Sequence, residues 1–272
     1  MKMIKFIDII SMAGIKLYDY KIHCATGKDW PPLEAFFDGK FKQWQEHQTQ
    51  KNFQCKHILS LIHLGNNQWL FAGIYNIKGV KPCKWDGKNH FMYSTQAVEG
   101  LDHLTGKAII QFQKEFRASY LRGPKYEDRL ILAGLREQRM TIGDFPGYNS
   151  VLLSYRMLKT VVRESNPSWK SSLSNIAGVY LITDTSDGKI YVGSAYGGDG
   201  VWQRWTVYAK NGHGGNKELK NLLRKNKMDH AEHFQFSILE VCDINSSEDH
   251  VISREVHWKN VLKTREFGLN QN

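Results

Sequence analysis

The chain has little of what marks a secreted or membrane-embedded protein. Its four cysteines, Cys24, Cys55, Cys83 and Cys242, are scattered over 272 residues without a C-x-x-C pair. Neither a zinc knuckle nor a disulfide framework is indicated, and a reducing, cytoplasmic setting is expected. No apolar run approaches the roughly 18 to 20 residues that a membrane helix needs, so no membrane partner is expected. The opening residues 1–10 are apolar but interrupted by Lys5 and Asp8, which removes a signal-peptide core; they read as a first strand. Only 6 prolines and 23 glycines occur, without a period, which excludes collagen-like and low-complexity chains. No internal repeat is visible.

With 41% hydrophobic and 24% charged residues, the chain has enough apolar material to fold, and its length favours two domains. Lys and Arg number 37 against 27 Asp and Glu, for a net charge of +10 and a pI near 9.3. Residues 1–150 hold 21 basic and 14 acidic residues, and residues 151–272 hold 16 and 13. The excess therefore sits mostly in the first half, and a polyanion is the first partner to consider.

Prolines 31 and 32 suit a first helical turn, and the apolar spacing after them predicts one helix over residues 31–48. Two apolar-rich runs, 58–64 and 69–75, flank Gly65-Asn66-Asn67 and predict a hairpin. Runs at 108–116 and 129–135, separated by the Arg122-Gly123-Pro124 breaker, add strands. The first half is thus expected to be mainly β and barrel-like, with helices attached. Phe145-Pro146-Gly147-Tyr148 supplies a turn before a connecting helix at 151–163, which Asn166-Pro167-Ser168 ends. The domain boundary is placed at 165.

The second half carries the chemistry. Gly178-Val179-Tyr180-Leu181-Ile182 and Lys189-Ile190-Tyr191-Val192-Gly193 are β-rich runs joined through Asp187-Gly188, predicting an antiparallel pair. Tyr180 and Tyr191 fall on one face, taken as the polar one, with Val179, Leu181, Ile190 and Val192 on the buried one. Residues 201–209 read as a helix on which Val201, Trp205 and Ala209 form the apolar stripe and Arg204 and Tyr208 are neighbours at i, i+4. Trp202 and Trp205 are assigned to packing. A later helix begins at Ser246 or Ser247, with Glu248 and Asp249 in its first turn. On it Glu255 borders Ile252 and Val256, so it should face inward, where a carboxylate needs a partner such as a metal ion.

These positions resemble the GIY-YIG nuclease family, with Gly178-Val179-Tyr180 as the first triplet, Tyr191-Val192-Gly193 as the second and Arg204 as the helical arginine. The resemblance spans about residues 173–272. It implies an α/β (α+β) domain with a small antiparallel sheet flanked by helices, and metal-dependent hydrolysis of DNA phosphodiester bonds. The catalytic residues it implies are Tyr180, Tyr191, Arg204, Tyr208, Glu255 and Asn270, with Glu255 holding Mg²⁺ or Mn²⁺. Tyr180 would be general base or proton relay, with nearby cations lowering its pKa; Tyr191 would position water or phosphate, and Tyr208 would assist. Arg204 would hold the phosphate, and Asn270 would support the metal-binding region and the phosphate.

His213, in a glycine-flanked loop, and Lys217 and Lys220 are candidate DNA contacts. Together with Arg224, Lys225 and Lys227, the two lysines equally describe a solvated helix face. Residues 1–165 are read as a basic DNA-recognition domain and 166–272 as the nuclease. Double-stranded DNA is the expected partner, a homodimer would make double-strand breaks, and restriction of foreign, possibly modified, DNA is the expected use in defence. Homing and repair-type nucleases are alternatives whose catalytic domain comes first rather than second. A DNA-binding protein with an inactive nuclease half is the alternative from another class.

Overall fold

The computed structural model describes residues 3–27, 30–115, 117–226 and 228–270, apart from the side chains of Asn226 and Met228. Phe116 and Lys227 lie outside the described residues. The chain divides into two compact units, Met1–Thr141 and Ile142–Asn272. Among the described residues, no helix is long and apolar enough to cross a membrane.

The first unit runs α1 (Phe6–Met12), β1 (Tyr20–Ala25), α2 (Pro32–Phe37), α3 (Phe41–Glu46), β2 (His47–Gln48), β3 (His57–Gly65), β4 (Gln68–Trp85), β5 (Lys88–Ala97), β6 (Ala108–Gln111), β7 (Tyr120–Arg122), α4 (Gly123–Tyr126) and β8 (Ile131–Leu135). The expected opening strand is a helix: Phe6 and Ile10, four residues apart, are both fully buried, a helical rather than a strand period. The single helix expected at 31–48 is two, broken where Gly39 takes a left-handed φ of 73°.

The hairpin of β3 and β4 forms as expected, with Asn66 and Asn67 both at positive φ in a two-residue turn. The strands make one mixed sheet of eight in the order β2-β5-β4-β3-β1-β7, with β6 on β4 and β8 on β6. Among the described residues this sheet does not close into a barrel. The reason is visible along β4, where Trp69 and Phe71 pack in one cluster with Phe6 and Ile10 of α1. Leu70 and Ala72, between them in the alternation, pack in another with Phe36 and Phe41 of α2 and α3. Helices cover both faces, so the sheet buries its apolar residues without rolling up.

The second unit runs β9 (Leu153–Ser154), α5 (Tyr155–Arg163), α6 (Pro167–Ser174), β10 (Ile176–Asp184), β11 (Ile190–Ala195), α7 (Gly200–Asn211), α8 (Lys217–Asn226), β12 (Phe234–Asp243) and α9 (Glu248–Val261). Its four strands are antiparallel, in the order β11-β10-β12-β9. Residues 142–165, assigned by sequence to the first domain, cluster with this unit, and β9 pairs with the far edge of its sheet. Asn166-Pro167-Ser168 does more than end a helix. The Asn166 side chain accepts from the backbone N–H of Ser168 and Trp169 and so starts α6, with Pro167 in its first turn.

Candidate active site

β10 and β11 are joined in register with Tyr180 opposite Gly193 and Ile182 opposite Tyr191. Tyr180 and Tyr191 therefore share a face, as expected. That face is not polar and exposed: Tyr180 is 0% exposed and Tyr191 is buried. The face is covered by α7, whose Trp205 and Tyr208 meet the Tyr180 ring edge-on at 6.3 and 5.9 Å. Both sides of β10 are thus interior, and alternation alone cannot say which side carries water.

The glycines of the two triplets have steric reasons. A Cβ on Gly193 would lie 2.5 Å from the Tyr180 hydroxyl and 2.6 Å from its Cζ, so the second-triplet glycine makes the room the first-triplet tyrosine occupies. A Cβ on Gly178 would lie 2.2 Å from the Glu240 carbonyl oxygen, beside the register shift between β10 and β12.

Arg204, on α7, donates from Nε to the Tyr180 hydroxyl at 3.0 Å and from one terminal nitrogen to the Gly214 carbonyl at 2.9 Å. It lies over the Tyr208 ring at 5.4 Å, and the Tyr180 and Tyr208 hydroxyls are 3.1 Å apart. The guanidinium is thereby fixed from behind by two phenols and a loop carbonyl. Burial pushes the Tyr180 and Tyr208 phenols up, and the nearby Arg204 charge does not reverse it. Tyr191 is also raised, by burial and then by the Glu255 charge. The expectation that cations lower these phenols is reversed here, because desolvation of the phenolate outweighs one guanidinium.

Glu255 reaches the site from α9. The buried residues of that helix are Val251 and Lys259, one helical step on either side of Glu255, whereas Ile252 and Val256 are exposed. The carboxylate does point inward, but along a line different from the apolar stripe inferred from sequence. Glu240 of β12 fixes the helix by accepting from Arg254 at 2.7 Å and from the Trp258 indole at 2.6 Å. One Glu255 oxygen pairs with Lys259 at 2.6 Å, and the other accepts from the Ser194 hydroxyl.

Arg204, Tyr191 and Glu255 line one open pocket of about 430 Å³, together with Ser194, Tyr196 and Gln203. Tyr180 and Tyr208 stand behind it. Among the described residues no group of three or more His, Cys, Asp or Glu could hold a metal ion. The donors present, a single carboxylate with hydroxyl neighbours, are hard oxygens, which suit Mg²⁺ or Mn²⁺ completed by water and substrate phosphate.

The remaining expected residues sit elsewhere. Asn270 accepts from the Val192 N–H and donates to the Val192 carbonyl, both at 2.8 Å, so its amide is spent on the backbone of the second triplet. His213 accepts at Nδ1 from the Gly215 N–H, and burial followed by the Lys220 charge lowers its pKa. It does not line the pocket, and neither do Lys217 and Lys220, which are exposed on α8 as its solvated face. Trp202 and Trp205 are buried, as assigned. Sequence reasoning missed Ser194, Tyr196, Gln203 and Lys259. Of these, only Lys259 carried a signal, its i, i+4 spacing from Glu255.

Phenols, a guanidinium and a carboxylate thus converge on one pocket of the second unit. Residues 176–270 match the family described as the GIY-YIG catalytic domain. Two solved structures are similar to this stretch. The catalytic domain of the homing endonuclease I-TevI is 30% identical over 35% of this chain and 98% of that one, with a TM-score of 0.27. A mutant form of that catalytic domain is 28% identical over 36% and 94%, with a TM-score of 0.28. No curated protein matches. The second unit thus carries a GIY-YIG catalytic domain.

Proposed function

We propose that the protein is a divalent-metal-dependent endonuclease that hydrolyses double-stranded DNA, with Mg²⁺ as its ion, and that it serves restriction of foreign DNA. The observation that carries the catalytic reading is the single pocket on which Arg204, Tyr191 and Glu255 converge, with Arg204 held from behind. The restriction reading rests on the order of parts, a basic first unit that selects DNA followed by one compact catalytic unit. One such unit makes one cut, so two copies together would make a double-strand break.

Within the pocket, Arg204 offers its guanidinium to the phosphate, and its fixed orientation spares reorganisation as charge grows. Glu255, beside the hydroxyls of Ser194 and Tyr191, would hold the metal ion. Bound there, the ion supplies charge neutralisation on the phosphate and stabilisation of the departing 3′ oxygen. Tyr191 lines the pocket, and behind it the Tyr208 and Tyr180 hydroxyls are hydrogen-bonded to each other. Tyr191, on the pocket wall, would orient the attacking water, whose proton passes to bulk water through the open pocket; Tyr180, fully buried behind it, acts by holding Arg204 rather than by touching substrate. Asn270 holds the second triplet in place and acts through it.

The test is plasmid cleavage in Mg²⁺ by wild type, Glu255→Gln and Tyr180→Phe. Cutting by wild type alone, with Tyr180→Phe keeping DNA affinity, is the expected result. Equal cutting by Glu255→Gln removes the metal assignment, and undiminished turnover in Tyr180→Phe removes the role of Tyr180. Binding without cutting by wild type leaves the reading of an inactive DNA-binding protein.

A further inference from the structure

β4 and β5 run past the body of the first unit. Beyond Asn76, β4 has no bond to β3, and β5 is joined by β2 only at Phe91 and Met92. From there to the tip the two strands pair only with each other, with the His47 ring of β2 against His90 and, at 5.0 Å, one side of Trp85, and they close in a two-residue turn where Asp86 and Gly87 both take positive φ. Between residues 78 and 97 stand four lysines, Lys78, Lys81, Lys84 and Lys88, against one acid, Asp86. All four lysines are exposed, and among the described residues none of them is in an ion pair. Trp85, at the tip, is 64% exposed, where an indole of that size is normally covered.

The register fixes which way the charges point. Trp85 faces Lys88 and Lys81 faces Met92, so Lys81, Trp85 and Lys88 share one face of the ribbon; Lys84, opposite Asn89, lies on the other. A ribbon lying flat on one phosphate strand needs cations on one face only. Cations on both faces, with an aromatic at the leading edge, fit a groove whose two walls are phosphate. The major groove of B-DNA, about 12 Å wide, admits a two-stranded ribbon.

We propose that the β4–β5 ribbon is the element by which the first unit engages DNA, entering a groove of the duplex with its lysines on the two backbones and Trp85 against the bases. This rests on the reading of the protein as one that acts on DNA, and it assigns the contact to particular residues. Those residues lie in the unit that the family match does not cover.

The experiment measures binding of the full chain to a mixed-sequence duplex of about 30 base pairs by fluorescence anisotropy, in EDTA, across a salt series. The same proteins are assayed for plasmid cleavage in Mg²⁺. In Lys81→Gln/Lys84→Gln/Lys88→Gln, log K against log salt should flatten by about 2 to 3, since each phosphate contact contributes about 0.9 to the slope. Trp85→Ala should weaken binding roughly tenfold and leave the slope alone. Unchanged melting temperatures, expected at an exposed tip, show that the fold is kept.

If the triple variant binds with the wild-type slope while wild type cuts plasmid, the ribbon proposal falls and the nuclease reading stands. If wild type prefers a single strand of the same sequence, groove entry is wrong. If wild type neither binds nor cuts, the nuclease reading fails and the ribbon proposal fails with it.

Discussion

Asn270→Ala separates a residue that acts on substrate from one that only holds the site together. Asn270 is 4% exposed, and its side-chain amide meets both polar backbone groups of Val192. β11 is the edge of its sheet, so on that side Val192 has no strand to pair with. The amide stands where a neighbouring strand's peptide group would. Leu269 adds a backbone bond to Ile190 at 2.8 Å, which extends the imitation along the edge.

Truncation to alanine leaves one N–H and one carbonyl buried and unpaired. At about 1 to 3 kcal/mol for each such group, the loss is about 2 to 6 kcal/mol, a large share of a domain's stability. For a unit of this size that lowers the melting temperature by roughly 7 to 20 °C. The local readout is hydrogen exchange in the β11 peptide, where the Val192 amide should lose protection first. Asn270→Asp keeps an acceptor for the Val192 N–H but sets a carboxylate against the Val192 carbonyl, so it should destabilise at least as much. Cleavage by Asn270→Ala should recover at temperatures well below its melting point. If stability and exchange are unchanged and cleavage is nevertheless abolished, the reasoning is refuted and Asn270 works on the phosphate or metal directly.

Arg204→Lys removes the planar fork and at least one of the two bonds that fix it, so kcat should fall by about two orders of magnitude with little loss of stability; cleavage kinetics near the wild-type rate would show that only charge is needed. Lys259→Met leaves Glu255 without its cation, so Mg²⁺ should raise the melting temperature of this variant more than that of wild type; equal shifts would mean that the ion does not bind at Glu255. His23 is fully buried and its pKa is lowered by burial to about 4, with the Gln45 hydrogen bond working against the shift. Between that value and about 6.5 the unfolded chain takes a proton that the folded one refuses, so stability should drop by about 1.4 kcal/mol per pH unit, about 3 in all, as pH falls through that window. His23→Gln should flatten this dependence in urea titrations, and a slope unaltered by the substitution would exclude His23 as its source.

The parts of this protein that could be read from sequence are those in which a residue type answers a local geometric demand. Asp187-Gly188 marks a strand connection whether or not its partners are known. Tyr180 and Tyr191 could be placed on one face because alternation across a hairpin is set by the chain itself. Arg204 and Tyr208 meet because a helix brings i and i+4 together. The same logic was available at Asp86-Gly87, a two-residue hairpin turn with exposed lysines on both sides, and missing it hid a basic ribbon of the first unit.

What sequence could not supply is everything that depends on which face is covered from outside. The opening residues have a strand's composition but a helix's burial, because the sheet they cover decides the period that matters. β12, which pairs along the whole of β10, has polar residues at alternate places and gives no sign of its central position.

The phenols show the same limit with chemical consequences. Counting charges near Tyr180 gives a guanidinium and a lowered pKa; adding the Trp205 and Tyr208 rings that pack against it and exclude water reverses the direction. A group so placed is poorly suited to take a proton from water directly and well suited to hold Arg204 still while Tyr191 faces the pocket. Of the two triplet phenols, only Tyr191 lines the pocket and stands where a nucleophile could meet it. Changing the outer phenol, Tyr191, should remove pocket chemistry even with the Tyr180–Arg204 pair intact.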